Sequence, residues 1–237
     1  MKIENAIILA AGRGSRMEEL TNECPKCMQT IKGKTVIQRT IDVFKYKNIK
    51  NIVVITGYKS RILRSHLNSL FDNIIFIENK KWEITNSIQS MSRALKYLKN
   101  SVVIDSDIYI NNKDVILTDV EFSGYSAVKA NHPKEWQLIS NADGFIEDVT
   151  TSKIKEGGLP IIDVSYWTEK DAKLISAHIK KAVQDERKLS KYWDEIPLLD
   201  FRKDFCLKRY DVEKDDLMEF DTKQELMKVR EKVCSAD

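Results

Sequence analysis

Four short, almost wholly apolar runs in the first half of the chain, spaced by stretches of helical periodicity, limit most severely the folds open to it. Residues 5–10 (NAIILA), 51–57 (NIVVITG), 73–78 (NIIFIE) and 101–104 (SVVI) show little polar alternation, so both faces of each must be covered. Between them, residues 34–47 place Ile37, Ile41 and Phe44 on one side of a helix, and residues 60–70 and 86–98 read as two more. Strand and helix alternating at this spacing predict a parallel sheet joined by right-handed crossovers.

The second half changes character. Residues 125–130, 136–140, 145–150 and 160–167 read as shorter strands, with Asn141-Ala-Asp-Gly144 as a turn signal. Residues 169–185 read as a helix and 205–212 as a strand, while Asp221-Thr-Lys-Gln-Glu225 resembles a capping box opening a last helix to about Val233. No repeat, low-complexity stretch or linker interrupts this order. The expected fold is therefore α/β: a mixed, mainly parallel (Rossmann-like) sheet flanked by helices, with a smaller antiparallel subregion, in one domain over 1–237.

Thirty-nine Lys+Arg against 36 Asp+Glu leave a formal charge of +3, too even for a chain that grips nucleic acid through a broad basic field. Affinity for phosphate must then be local. The apolar run 6–11 is too short for a signal segment or a membrane span, and nothing else approaches twenty apolar residues. A cytoplasmic chain with no membrane or nucleic-acid partner is expected. Four cysteines do not make a disulfide scaffold, and the pair Cys24 and Cys27 lacks the second ligand pair of a structural zinc site.

The first strand runs directly into Leu9-Ala-Ala-Gly-Arg-Gly-Ser-Arg16, and Pro25-Lys26 follows after a gap. Small residues after a buried strand let backbone N–H groups approach a phosphate chain, while Arg13, Arg16 and Lys26 supply charge. Neither a Walker A pattern nor a complete dinucleotide fingerprint is present. Ile104-Asp-Ser-Asp107 stands where a parallel strand should end, which is where open α/β sheets bind ligands. A carboxylate there suits Mg²⁺, which takes one or two carboxylates together with substrate phosphates. A second candidate is Asp221 in Glu219-Phe-Asp-Thr222, whose alternative role is an ordinary helix N-cap. Downstream lie Trp136, Tyr166, Trp167, Tyr192 and Trp193, with Asp163 and Asp194 near them in sequence. Aromatic faces attract a quaternary ammonium by roughly 0.5–2 kcal/mol each, though a tryptophan on a strand is as often core.

L-A-A-G-x-G-S-R followed by P-K resembles the signature of the nucleotidyltransferases that activate sugar and alcohol phosphates. The resemblance implies that Leu9, Ala10, Ala11, Gly12, Arg13, Gly14 and Ser15 wrap a triphosphate, that Lys26 and Arg16 stabilise it, and that Asp107 and Asp221 hold Mg²⁺ with Asp105 assisting through water. Ile108 departs from the asparagine many relatives carry after the aspartate. Lys134-Glu-Trp136, Val164-Ser-Tyr-Trp167, Lys191-Tyr-Trp-Asp194 and Glu219-Phe-Asp221, in this order, resemble the bacterial phosphocholine cytidylyltransferases and the related 2-aminoethylphosphonate cytidylyltransferases.

That resemblance implies CTP as donor and a small phosphate or phosphonate as acceptor, with the base read near residues 10–12 and at Thr85, Asn86 and Ser87. It implies an acceptor region of Lys129, Trp136, Asp163, Trp167, Tyr192, Trp193 and Asp194. The chain then divides into a nucleotide-binding half (1–124), an acceptor-binding half (125–220) and a last segment (221–237) with the second metal aspartate. A homodimer, or fusion to a pathway enzyme, is compatible with this. Phosphocholine is the leading acceptor and 2-aminoethylphosphonate the alternative. A sugar-1-phosphate nucleotidyltransferase and a silent nucleotide-binding module are the further readings.

Overall fold

The computed structural model describes residues 1–129, 136–151 and 157–235. Ala130, His132 and the Lys134-Glu135 part of one expected motif lie outside these residues. In chain order the elements are β1 (Asn5–Ala10), β2 (Thr30–Ile31), β3 (Lys34–Thr35), α1 (Val36–Tyr46), β4 (Asn51–Thr56), α2 (Ser60–Asn68), β5 (Ile74–Glu78) and α3 (Ser87–Ala94). They continue with β6 (Ser101–Asp105), β7 (Ile108–Ile110), β8 (Gly124–Val128), β9 (Gln137–Ser140), β10 (Ile146–Thr150), β11 (Leu159–Trp167), α4 (Glu169–Ala182), β12 (Lys208–Val212), β13 (Leu217–Glu219) and α5 (Lys223–Ser235).

The main sheet runs β10-β9-β11-β6-β1-β4-β5, with β8 pairing β11 and β12 pairing β8. Strands β6, β1, β4 and β5 are parallel, as the apolar runs predict. β11 joins antiparallel to β6, and β8 and β9 join antiparallel to β11, so the antiparallel strands of the second half continue the parallel sheet edgewise. Residues 34–35 leave the expected first helix and pair with β2, because Thr35 is its N-cap, accepting from Gln38 N at 3.2 Å. The β7–β13 pair is absent from the sequence reading: each strand has only three residues, too few to show a period.

Alternate residues of each central strand feed two cores. Ala6, Ile8 and Ala10 meet α1 and α2 through Ile37, Ile41, Phe44, Leu63 and Leu67. Ile7 and Leu9 face α3 and α4 through Ile88, Met91, Ala172, Ile175 and Ile179. A third cluster joins Met17, Tyr109, Met218, Phe220, Leu226 and Val229, and so packs β13 and α5 against the segment that follows β1. Among the described residues no helix is long and apolar enough to cross a membrane.

The carboxyl ends of β1 and β6 lie side by side, with β4 and β5 extending the sheet on one side only. This is the topological switch point at which open α/β sheets bind ligands. The opposite edge depends on Gly124, where β8 meets β12: a Cβ there would lie 1.9 Å from the Lys208 carbonyl oxygen. Gly124→Ala is expected to destabilise the fold by about 1–3 kcal/mol, as overpacking does. The check is a lowered denaturant midpoint at unchanged slope.

Candidate active site

At the switch point opens a cleft of about 380 Å³, one wall of which is built from four segments that meet there. Leu9, Ala11, Gly12, Gly14, Ser15 and Arg16 come from the loop after β1, Asp105, Ser106 and Asp107 from the end of β6, and Lys26 and Asp221 from opposite ends of the chain. The loop is braced from below. Ser106 N donates to Leu9 O at 3.2 Å and Tyr58 N to Ala11 O at 2.9 Å. Gly14 turns with φ 67°, and a Cβ on it would lie 2.9 Å from Cβ and Cδ of Lys26. The missing side chain is therefore the slot in which the Lys26 stem lies.

Lys26 is 6% exposed. Its Nζ donates to Asp107 Oδ2 at 2.8 Å and to Asp221 Oδ1 at 2.6 Å, and it stands 5.5 Å from the centre of the Phe220 ring. Burial alone would lower the lysine's pKa, but the two carboxylates outweigh it and hold the ammonium above its ordinary value. Arg16 Nη1 takes the other Asp221 oxygen at 2.8 Å. Asp221 is free for these contacts because Thr222 caps α5: Glu225 N donates to Thr222 Oγ1, and Glu225 Oε2 accepts from the backbone N–H groups of Asp221 and Thr222. The capping box is formed, and its cap is the residue after the aspartate.

One oxygen each of Asp107, Glu219 and Asp221 lie within 4.8 Å of one another. Two-residue spacing along an extended segment carries Glu219 and Asp221 to the same side. Among the described residues Asp107 Oδ1 is buried without a hydrogen-bond partner. Three hard oxygen donors, one with an unused buried lone pair, fit a small divalent cation such as Mg²⁺. Ile108 is fully buried in the core below and does not reach the cleft. Cys27 is also buried, and burial pushes its thiol up to about 12.

The cleft's other wall holds Asn79, Trp82, Thr85, Asn86, Ser87, Ser90 and Tyr192. Asn86 caps α3 by accepting from Ser87 N at 2.8 Å, and donates to Ser190 O. Ser87 Oγ accepts from Trp193 N at 3.0 Å. Sequence reasoning passed over Asn79, which is 1% exposed; its amide donates to Ser90 Oγ at 3.1 Å and its oxygen accepts from Lys81 N. The available signal was its place directly after β5, at the carboxyl end of a parallel strand.

The expected acceptor residues divide. Trp167 and Trp193 are 0% and 2% exposed and pack edge-on with ring centres 5.5 Å apart, so the structure places both in the core rather than at the cleft surface. The Trp167 indole donates to Ser165 Oγ at 3.0 Å, leaving it no polar group to offer. Trp136 is half-buried against the same core and does not line the cleft. Lys129 is exposed and pairs with Glu213 at 2.7 Å, away from the cleft lining. Tyr192, 55% exposed, is the expected aromatic that does line it.

The carboxylates come together instead. Burial first, then the charges of Asp163 and Asp107 and of Asp194, hold Asp105 well above the usual carboxylate range. Burial and Asp163 likewise raise Asp194, which accepts from Tyr125 Oη at 2.9 Å. Tyr125 in turn packs against Trp167 and Trp193, so the tryptophans form the apolar backing of an acidic group that begins at the cleft with Asp105. Trp167→Ala is expected to cost about 3–5 kcal/mol of stability, the usual consequence of emptying a large core site. Its signature is a lowered melting temperature, whereas Tyr192→Ala should stay within about 0.5 kcal/mol of the parent.

The sequence profile of the MobA-like NTP transferase domain matches residues 6–156. The choline-phosphate cytidylyltransferase of Haemophilus influenzae is 30% identical over 220 residues, covering 92% of each chain. The 2-aminoethylphosphonate cytidylyltransferase of Lancefieldella rimae is 25% identical over 198 residues, 81% of this chain and 78% of that one. The solved structure of the CTP:phosphocholine cytidylyltransferase from Streptococcus pneumoniae superposes with a TM-score of 0.90 at 27% identity, covering 98% of this chain and 100% of that one.

Proposed function

The chain belongs to the MobA-like NTP transferase family, and from that premise we propose that it transfers CMP from CTP to phosphocholine in a Mg²⁺-dependent reaction, releasing pyrophosphate. The observation that carries the reading is one cleft in which a small-residue loop, two cations and the Asp107 and Asp221 carboxylates converge, with an oxygen of Glu219 within 4.8 Å of theirs. Its donor and acceptor are those of the relatives in Haemophilus influenzae and Streptococcus pneumoniae, matched over nearly the whole chain.

In this reading the loop from Leu9 to Ser15 receives the triphosphate on its backbone N–H groups. An oxygen of the acceptor phosphate attacks the α-phosphorus in line, the bond to the β-phosphate oxygen breaks, and pyrophosphate leaves. A phosphomonoester loses its second proton near pH 6, so the nucleophile needs no base at neutral pH. Among the described residues no histidine lines the cleft: His66 bonds Thr35 Oγ1, and His178 stacks on Phe201. Asp107 and Asp221 would hold Mg²⁺, which when bound would supply charge neutralisation. Lys26 and Arg16 stabilise the charge that accumulates as pyrophosphate departs. The acceptor's cationic head faces the acidic group of Asp105, Asp163 and Asp194.

That acidic group also motivates a second reading. A trimethylammonium has no N–H to donate, whereas a primary ammonium has three, and carboxylates beside the cleft with Trp167 and Trp193 withdrawn into the core suit the latter. 2-Aminoethylphosphonate is the acceptor of that chemistry.

Pyrophosphate release with CTP and Mg²⁺ is the test, with the two acceptors at matched concentrations. Faster release with phosphocholine is expected; preference for the phosphonate would move the assignment to the second reading, and release with neither would remove both. Lys26→Ala is expected to lower turnover by about 10²-fold or more, as loss of a charge-stabilising donor does. Asp163→Asn should raise the acceptor's KM by about 10- to 100-fold, equivalent to one hydrogen bond to a charged group, with kcat less affected. An unchanged KM in that variant would separate the acidic group from acceptor binding.

A further inference from the structure

The carboxylates assigned to the metal are already held by a side chain of the protein. Lys26 Nζ lies within hydrogen-bond distance of an oxygen of Asp107 and an oxygen of Asp221, and Arg16 occupies the second oxygen of Asp221. An ammonium and a divalent cation cannot share these lone pairs, and at such range they repel. We propose that Lys26 is a stand-in cation that keeps the metal seat closed in the nucleotide-free protein, and that the triphosphate opens it by drawing the ammonium onto its own oxygens. Metal then enters with the nucleotide rather than before it. The inference rests on the reading of Asp107 and Asp221 as Mg²⁺ ligands.

The charge balance supports this order. Three carboxylates, Asp107, Glu219 and Asp221, face two cations, Lys26 and Arg16. A bare divalent ion would make that group net positive, while an arriving triphosphate reverses the balance and gives both cations a new partner. The mechanics agree. The Lys26 stem lies in the slot left by Gly14, within the loop that lines the cleft, and the side chain is 8% exposed. A ligand that moves the loop therefore acts directly on the lysine. Arg16, by contrast, has 68% of its side chain exposed, so its ion pair is screened and easily exchanged. Among the described residues Asp107 Oδ1 is buried without a hydrogen-bond partner beside the bridged oxygen, an acceptor the lysine does not satisfy.

The experiment is a Mn²⁺ titration of the full chain without nucleotide, read by the electron paramagnetic resonance signal of free Mn²⁺, on the wild type, Lys26→Met, Lys26→Arg and Lys26→Met/Asp221→Asn. The wild type and Lys26→Arg are expected to bind weakly. Lys26→Met should bind about 10- to 1,000-fold more tightly, taking as guide the range over which one adjacent charge shifts a carboxylate's affinity for a proton, and the double variant should lose the gain. Equal affinity in wild type and Lys26→Met, abolished by Asp221→Asn, would overturn the gate while leaving the metal ligands in place. Where Lys26→Met does not fold, the wild type carries the test: Mn²⁺ alone, at concentrations that saturate pyrophosphate release with CTP, should leave its melting temperature unchanged. A rise that Asp221→Asn abolishes would overturn the proposal. Pyrophosphate release that proceeds fully in a chelator, with no Mn²⁺ bound by any variant, would overturn the metal reading and the gate with it.

Discussion

A single ammonium shared between two carboxylates ties this molecule's working parts together. Lys26 spans to Asp107, 81 residues on, and to Asp221, 195 residues on. Buried ions pay a desolvation cost of several kcal/mol each, returned only where geometry and remaining hydrogen bonds are good. The bridge can therefore exist only on a frame that holds the end of β6, the loop after β1 and the start of α5 in fixed relation. Removing either class of partner leaves an uncompensated charge, which gives these positions a cost beyond any catalytic one.

That frame is built by ordinary packing. Two cores sandwich the parallel strands and fix where β1 and β6 end, so Leu9 and Asp105 arrive at the same level of the sheet. The third cluster, with Met17, Tyr109, Phe220 and Leu226, pulls β13 and α5 against the loop. The capping box then settles which residue is spent on the helix: Thr222 and Glu225 satisfy one another's backbone groups, and Asp221 keeps both oxygens for Lys26 and Arg16. A local device for ending a helix thus decides the availability of a site carboxylate.

Around Asp105 the division of labour is between aromatic mass and negative charge. Tyr125, Trp167 and Trp193 form a dry, closely packed group, and the carboxylates of Asp105, Asp163 and Asp194 stand in front of it. Apolar backing raises the cost of keeping those carboxylates ionised, and a cation arriving between them lowers it. In the proposed reaction that arrangement would attract the acceptor's positively charged head.

The first half of the fold was legible because β1, β4 and β6 are covered on both faces and its helices on one, which leaves uninterrupted apolar runs and a helical period that need no partner to be recognised; β5, at the sheet edge, is only half-buried. The small-residue loop after β1 and Lys26 were legible as candidates too, since such a turn after a buried strand and a nearby Pro-Lys stand out in composition, and the structure brings them to one cleft. What residue type alone could not determine was which faces the second-half residues turn to. Tryptophan serves a core as readily as a ligand, and the pairing of β11 with β6 and β8 sends Trp167 inward while bringing Asp163 up to Asp105. Glu219 needed the β7–β13 pairing, three residues long, before its carboxylate could be seen to join Asp107. The sequence by itself determined the sheet, its switch point and the charged groups; only the tertiary structure decided that Lys26 and the two aspartates share one bridge. The physical reason is that alternating strand patterns fix local direction, whereas a contact across 195 residues is set by packing and has no local pattern to announce it.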